Sequence, residues 1–164
     1  MGNLYRFMLL LHIACAILGF GSVAFNGMYR ARARQRGGAM EAVLLEENSA
    51  VSQIAEVGIY GVFVFGILVA LTSKVAGKFA WEFKQSWLSA AMVLYLVDIA
   101  VLHAFIHRGE RQYSALLAKA NGSGGGNGDV AQLEQLERRI SLGWVAFDVV
   151  FLVILYLMVF KPGL

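Results

Sequence analysis

The sequence predicts an all-α polytopic membrane protein, a four-transmembrane-helix antiparallel bundle forming one membrane domain over residues 1–164. Three observations carry that prediction. Four apolar runs, at about 7–29, 56–73, 86–106 and 141–160, reach or approach the roughly 20 residues that a bilayer-crossing helix needs. Hydrophobic residues make up 59% and charged residues 15% of the chain, with a mean hydropathy of +0.64, outside the usual composition of a soluble domain. The Lys and Arg residues lie mostly between the runs, where they reach water or headgroups.

Composition and motifs also exclude several function classes. The net charge of +3 comes with neither a continuous basic face nor a recognition module, so nucleic-acid binding is set aside. No hydrolase elbow, zincin motif, phosphate loop or paired CxxC is present, so an enzymatic reading would rest on isolated ionisable residues alone. The single cysteine, Cys15, lies inside an apolar run and cannot form an intrachain disulfide.

The first run needs a processing decision. Arg6, an apolar core and Ser22-Val23-Ala24 have the outline of a secretory signal peptide. The run continues to Tyr29, however, and meets Arg30, Arg32, Arg34 and Arg36, the flank expected of a retained span. The Met-Gly-Asn start is no myristoylation signal, because Arg6 stands where Ser or Thr is required. Along this run His12, Cys15/Ala16, Gly19, Ser22 and Asn26 recur every three or four residues and form one small, polar face, expected to meet protein rather than lipid.

The second run offers Gly58, Gly61 and Gly66, which permit close helix approach in lipid and are read as packing positions. The segment before it, with Glu46, Glu47 and Glu56, has near-helical spacing and predicts a wet extension of that helix. Between runs two and three, Trp81, Trp87, Lys74, Lys78 and Lys84 mark an interfacial turn joining antiparallel neighbours. The third run carries Asp98, His103 and His107. Beyond it, 110–120 and 130–140 predict helix extensions around a Gly-rich flexible tether at 121–129. The fourth run carries Trp144 and Asp148 and stops before Pro162.

Nine Lys and Arg in the first and third connections, against five elsewhere, place both termini outside by the positive-inside rule, in a cell inner (cytoplasmic) membrane. Helical rise then gives depths. Asp98 lies about 18 Å below the outer surface and Asp148 about 12 Å from the inner one, a common level in a core roughly 30 Å thick. They are candidates for a proton-handling pair, with separate structural polar contacts as the alternative. His12 and Met92, about 8 and 9 Å deep, share a level suited to a His/Met haem or metal site. His103 and His107 lie some 25 Å or more from that surface, too far to share an iron with His12. They are candidate ligands for a metal near the inner surface, or an ordinary helix end among headgroups. For His12, a structural or partner-facing hydrogen bond, a haem or metal ligand and proton handling all stay open.

The run from Leu11-His12-Ile13 through Gly19-Phe20-Gly21-Ser22 resembles the opening of a family of small bacterial four-helix proteins known as predicted integral membrane proteins. It is more distantly similar to the copper-resistance D and HemJ-type protoporphyrinogen oxidase families. Those resemblances imply His12 as a polar or haem-associated position, Gly19 and Gly21 as packing positions, and haem b as a candidate cofactor. The leading expectation is a small non-enzymatic accessory or structural subunit of a bacterial membrane complex, packed against itself or a larger partner in the lipid bilayer. Its basis is size, since four short-looped helices leave little room for both a lined cavity and a core. A proton-coupled transporter using Asp98 and Asp148, and a b-type haem or metal redox protein using His12, are the alternatives.

Overall fold

A computed structural model of the chain describes residues 2–75, 78–123 and 127–163. Its elements in order are helix α1 (Asn3–Val23), α2 (Asn26–Arg36) and α3 (Gly38–Thr72), a small antiparallel hairpin of β1 (Lys74–Val75) and β2 (Lys78–Phe79), helix α4 (Ser86–Val101), a π-helical stretch (Leu102–His107), α5 (Arg108–Ser123) and α6 (Asn127–Phe160). Four helical stretches, Asn3–Arg36, Gly38–Thr72, Ser86–Gly122 and Gly128–Phe160, are long and apolar enough to cross a membrane.

The first run, expected as one helix over 7–29, is interrupted at Ala24–Phe25, where Phe25 leaves helical geometry with φ −101° and ψ 4°. Gly37 and Gly38 then take φ +66° and +56°, a left-handed pair that glycine adopts without steric cost, and the chain turns from α2 into α3. α3 starts well ahead of the second apolar run, because the segment from Ala39 to Glu56 has helical spacing of its own. The expected tether is helical over 121–123 and 127–129, and its centre, 124–126, lies outside the described residues.

The chain divides into two compact units. The first comprises Met1–Val23, Val51–Leu96 and Val150–Leu164. In it α1 and α3 touch backbone to backbone: a Cβ built on Gly19 would lie 2.6 Å from the Ile59 nitrogen, and one on Gly58 would lie 2.9 Å from the Gly19 nitrogen. Lipid supplies no hydrophobic force between helices, so this contact is held by dispersion, which small residues maximise. Phe20 stacks on Phe151 at 4.2 Å, linking α1 to α6. Tyr95 of α4 stacks on Phe63 at 5.1 Å and donates its hydroxyl to the Ile59 carbonyl at 2.9 Å. Ser73 closes the hairpin end, donating to the Ala70 carbonyl at 2.7 Å and accepting from the Trp81 N–H at 3.1 Å. Lys84, hydrogen-bonded to Glu82 at 2.6 Å, is held above its ordinary pKa by that bond and then by the Glu82 charge, but a pair so exposed adds little stability.

The second unit comprises Ala24–Ala50 and Val97–Val149. Its centre is a charge cluster around Arg30, which is only 4% exposed. Arg30 donates to Glu137 at 2.6 Å and Glu110 at 3.4 Å and lies over the Tyr113 ring at 5.2 Å. The Tyr113 hydroxyl donates to Glu41 at 2.5 Å. Two glycines admit neighbours here: a Cβ on Gly109 would lie 2.7 Å from the Ile140 side chain, and one on Gly143 would lie 3.1 Å from Ile106.

Candidate functional site

The polar face of α1 reaches its most constrained point at His12. Its Nδ1 lies 2.9 Å from the Val62 carbonyl of α3. A carbonyl only accepts, so Nδ1 carries a proton and donates, and in the neutral form of the ring the lone pair is left on Nε2. This contact depends on Gly66, one helical turn beyond Val62. A Cβ there would meet the imidazole at 3.1 Å, so the absent side chain is what lets the ring approach.

His12 borders a cavity of about 630 Å³ in the first unit. Met92 of α4 lines the same space, as do Phe20, Tyr95 and Trp87, and the wall is almost wholly apolar. The expectation that four short-looped helices leave little room for both a lined cavity and a core is therefore corrected. The backbone contact at Gly19 and Gly58 coexists with an open space faced by α1, α3, α4 and α6. Within it, His12 and Met92 offer a nitrogen and a thioether donor, a set that haem iron accepts. An apolar cavity of this volume with few convergent polar groups has the character of a small-molecule or cofactor site.

The other residues singled out in the sequence fall elsewhere. Cys15 is half-buried against Gly61, where a Cβ would come within 2.7 Å of its sulfur, and Ala16 lines the cavity. Gly21 has no neighbour within 4 Å of a built Cβ, so no helix packs on it among the described residues. Ser22 is exposed and donates to the Leu18 carbonyl of its own helix at 2.5 Å. Asn26 is buried in the second unit.

Asp98 and Asp148 both belong to the second unit. Asp98 is fully buried, and neither carboxylate oxygen has a hydrogen-bond partner among the described residues. His103 is exposed and His107 half-buried on the π-helical stretch, with ring centroids 5.3 Å apart and planes tilted by 49°. His107 Nδ1 also lies 4.0 Å from Glu110.

Sequence reasoning overlooks the Arg30 cluster. By position Arg30 is only a flanking positive charge, although it continues the polar face of helix 1 four residues beyond Asn26. Its partner Glu137 lies 107 positions away, a pairing that no local spacing reveals.

A family model described as "Predicted integral membrane protein (DUF2269)" matches residues 6–162. No curated protein and no solved structure matches the chain.

Proposed function

This chain belongs to the DUF2269 family of predicted integral membrane proteins, and from that premise we propose that it binds a planar apolar cofactor of the haem b class, with His12 Nε2 as iron ligand. One observation carries the reading. The Nδ1–H bond to Val62 orients the ring of a residue that lines an apolar cavity of about 630 Å³, and in the neutral ring it leaves Nε2 as the atom with a lone pair. Metal-bound histidines ordinarily donate their other N–H to a carbonyl or carboxylate, which fixes the tautomer and raises ligand basicity. Met92 is the candidate second donor on the same cavity. Bound haem b would supply one-electron chemistry, and the chain's own part is to bind it, orient it and keep water away. The likeness of helix 1 to the copper-resistance D and HemJ-type families points the same way.

The test is purification in mild detergent, with an absorption spectrum and mass spectrometry of what copurifies. A stoichiometric Soret band in the wild type, lost in His12→Ala while the variant stays folded, is the expected result. A colourless protein that takes up no added haem and copurifies in a fixed larger assembly would favour a non-enzymatic accessory subunit instead.

A second reading, proton-coupled transport, is favoured by the full burial of Asp98 without a hydrogen-bond partner among the described residues, in the same unit as Asp148. A carboxylate so placed in a span is costly and commonly functional. Proton flux in reconstituted vesicles that is unchanged by the double substitution Asp98→Asn, Asp148→Asn would remove this reading. Both readings carry the same orientation: the inner (cytoplasmic) membrane of a bacterium with the termini outside, supported by nine basic residues against five.

A further inference from the structure

We infer that one end of the cavity, formed by Trp81, Trp87 and Lys161, recognises the carboxylate of an amphipathic ligand whose apolar body fills the space. This rests on the haem reading in identifying that carboxylate as a propionate of haem b.

The end is built from the C-terminus of α6. The helix stops at Phe160, and Lys161 takes φ +44°, a left-handed conformation rare for a residue with a side chain. Its N–H still bonds the Leu157 carbonyl at 3.0 Å, while Pro162 cannot extend the helix. Gly163, at φ +93°, lies against the start of α4, where a Cβ would sit 3.2 Å from the Ser86 hydroxyl. Thus the turn is held at both sides, and the Lys161 ammonium is carried 3.8 Å from the Trp81 ring centre and 5.7 Å from that of Trp87. Strained backbone of this kind persists only where the surroundings enforce it, and it clusters at ligand sites.

Lys161 and Trp87 both line this end, the ammonium held among the described residues by the indole faces alone. Lys161 forms no ion pair among the described residues. The Trp87 indole N–H is buried with no acceptor among them, although Trp87 is only 5% exposed and lines the cavity. The Trp81 indole N–H, by contrast, is taken by the Tyr5 hydroxyl at 3.1 Å. Tryptophan and lysine at a helix end are ordinary headgroup anchors, but an anchor turns its N–H to water or lipid, whereas that of Trp87 is closed off from both. A cation and an unsatisfied donor at one end of an otherwise apolar space complement a carboxylate. The spacing is also suitable. Tyr5 and His12 both line the cavity and stand seven residues apart on α1, about 10 Å along the axis, of the order of the separation between a porphyrin centre and its propionate carboxylates.

The experiment titrates the full chain in detergent with haemin, haemin dimethyl ester, dodecanoate and methyl dodecanoate, following absorbance for the haems and tryptophan fluorescence for the lipids. The wild type is expected to bind haemin about tenfold or more tightly over its ester, the discrimination of one charge-assisted hydrogen bond. Lys161→Gln should bring that ratio close to one with the Soret position unchanged, Lys161→Arg should keep it, and Trp87→Phe should reduce it several-fold. Equal binding of acid and ester by the wild type, or a ratio untouched by Lys161→Gln, overturns the inference while leaving haem binding standing. If no haem binds but dodecanoate is preferred over its ester in a Lys161-dependent way, the haem reading fails and the carboxylate end stands. If neither acid is preferred, both fall.

Discussion

Substituting alanine along the α1–α3 seam yields a graded prediction, because the glycines there differ in what a single methyl would strike. At Gly19 it would lie 2.6 Å from the Ile59 nitrogen and 2.8 Å from the Gly58 carbonyl carbon. These are backbone atoms of a helix, so relief requires α1 and α3 to separate by roughly 1 Å, which forfeits a quarter to a half of each dispersion contact along the seam. With overpacking usually costing about 1–3 kcal/mol, Gly19→Ala should fall at the upper end, about 2–3 kcal/mol. At Gly61 the methyl would meet the Cys15 sulfur at 2.7 Å, a side chain able to change rotamer, so about 1 kcal/mol is expected, recovered by adding Cys15→Ala. Gly21→Ala meets nothing within 4 Å and should be neutral or slightly stabilising through helix propensity. The assay is reversible unfolding in mixed detergent micelles. Equal stability of the Gly19 and Gly21 variants would refute the close backbone contact, and with it the geometry that brings His12 to Val62.

Three further outcomes follow from the same structure. Arg30→Ala leaves the buried Glu137 and the half-buried Glu110 without their cation and should cost about 3–5 kcal/mol, with much of the loss restored by adding Glu110→Gln and Glu137→Gln; thermal unfolding in detergent measures both. Asp98→Leu replaces a fully buried carboxylate that lacks hydrogen-bond partners among the described residues, so the variant should be more stable than the wild type by about 1–3 kcal/mol, read by the same unfolding assay. For orientation, a membrane-impermeant thiol reagent on a Cys15→Ala background should label a cysteine placed at Lys78 in intact cells and fail to label one placed at Arg36, with the reverse pattern indicating termini inside.

The four spans were legible because apolar length is a property of each segment alone. The helix extensions were legible for a similar reason, since Ala39–Glu56 and 130–140 carry helical spacing of their own. Pairings were less accessible. Spacing gathers His12, Cys15 and Gly19 on one face of α1, but only the folded chain sets Gly66 against the imidazole, Gly61 against the thiol and Gly58 against Gly19. The cavity was missed because it is a gap among four helices, and no single helix records it. Arg30 was missed because a charge beside a span is first read as a topology signal, whereas its burial depends on Glu110 and Glu137 far along the chain. The short β1–β2 hairpin left no pattern of its own beyond the lysine and aromatic residues of an interfacial turn.

Whether His12 holds a cofactor through Nε2 in the apolar cavity is decided by comparing the wild type with His12→Ala and Gly66→Val after titration with haemin in detergent. The expected results are a stoichiometric Soret band in the wild type, its loss in His12→Ala, and weakened binding in Gly66→Val, where the larger side chain displaces the imidazole from Val62. A folded wild-type protein that takes up no haemin, or a His12→Ala variant with an unaltered spectrum and affinity, would contradict that role of His12.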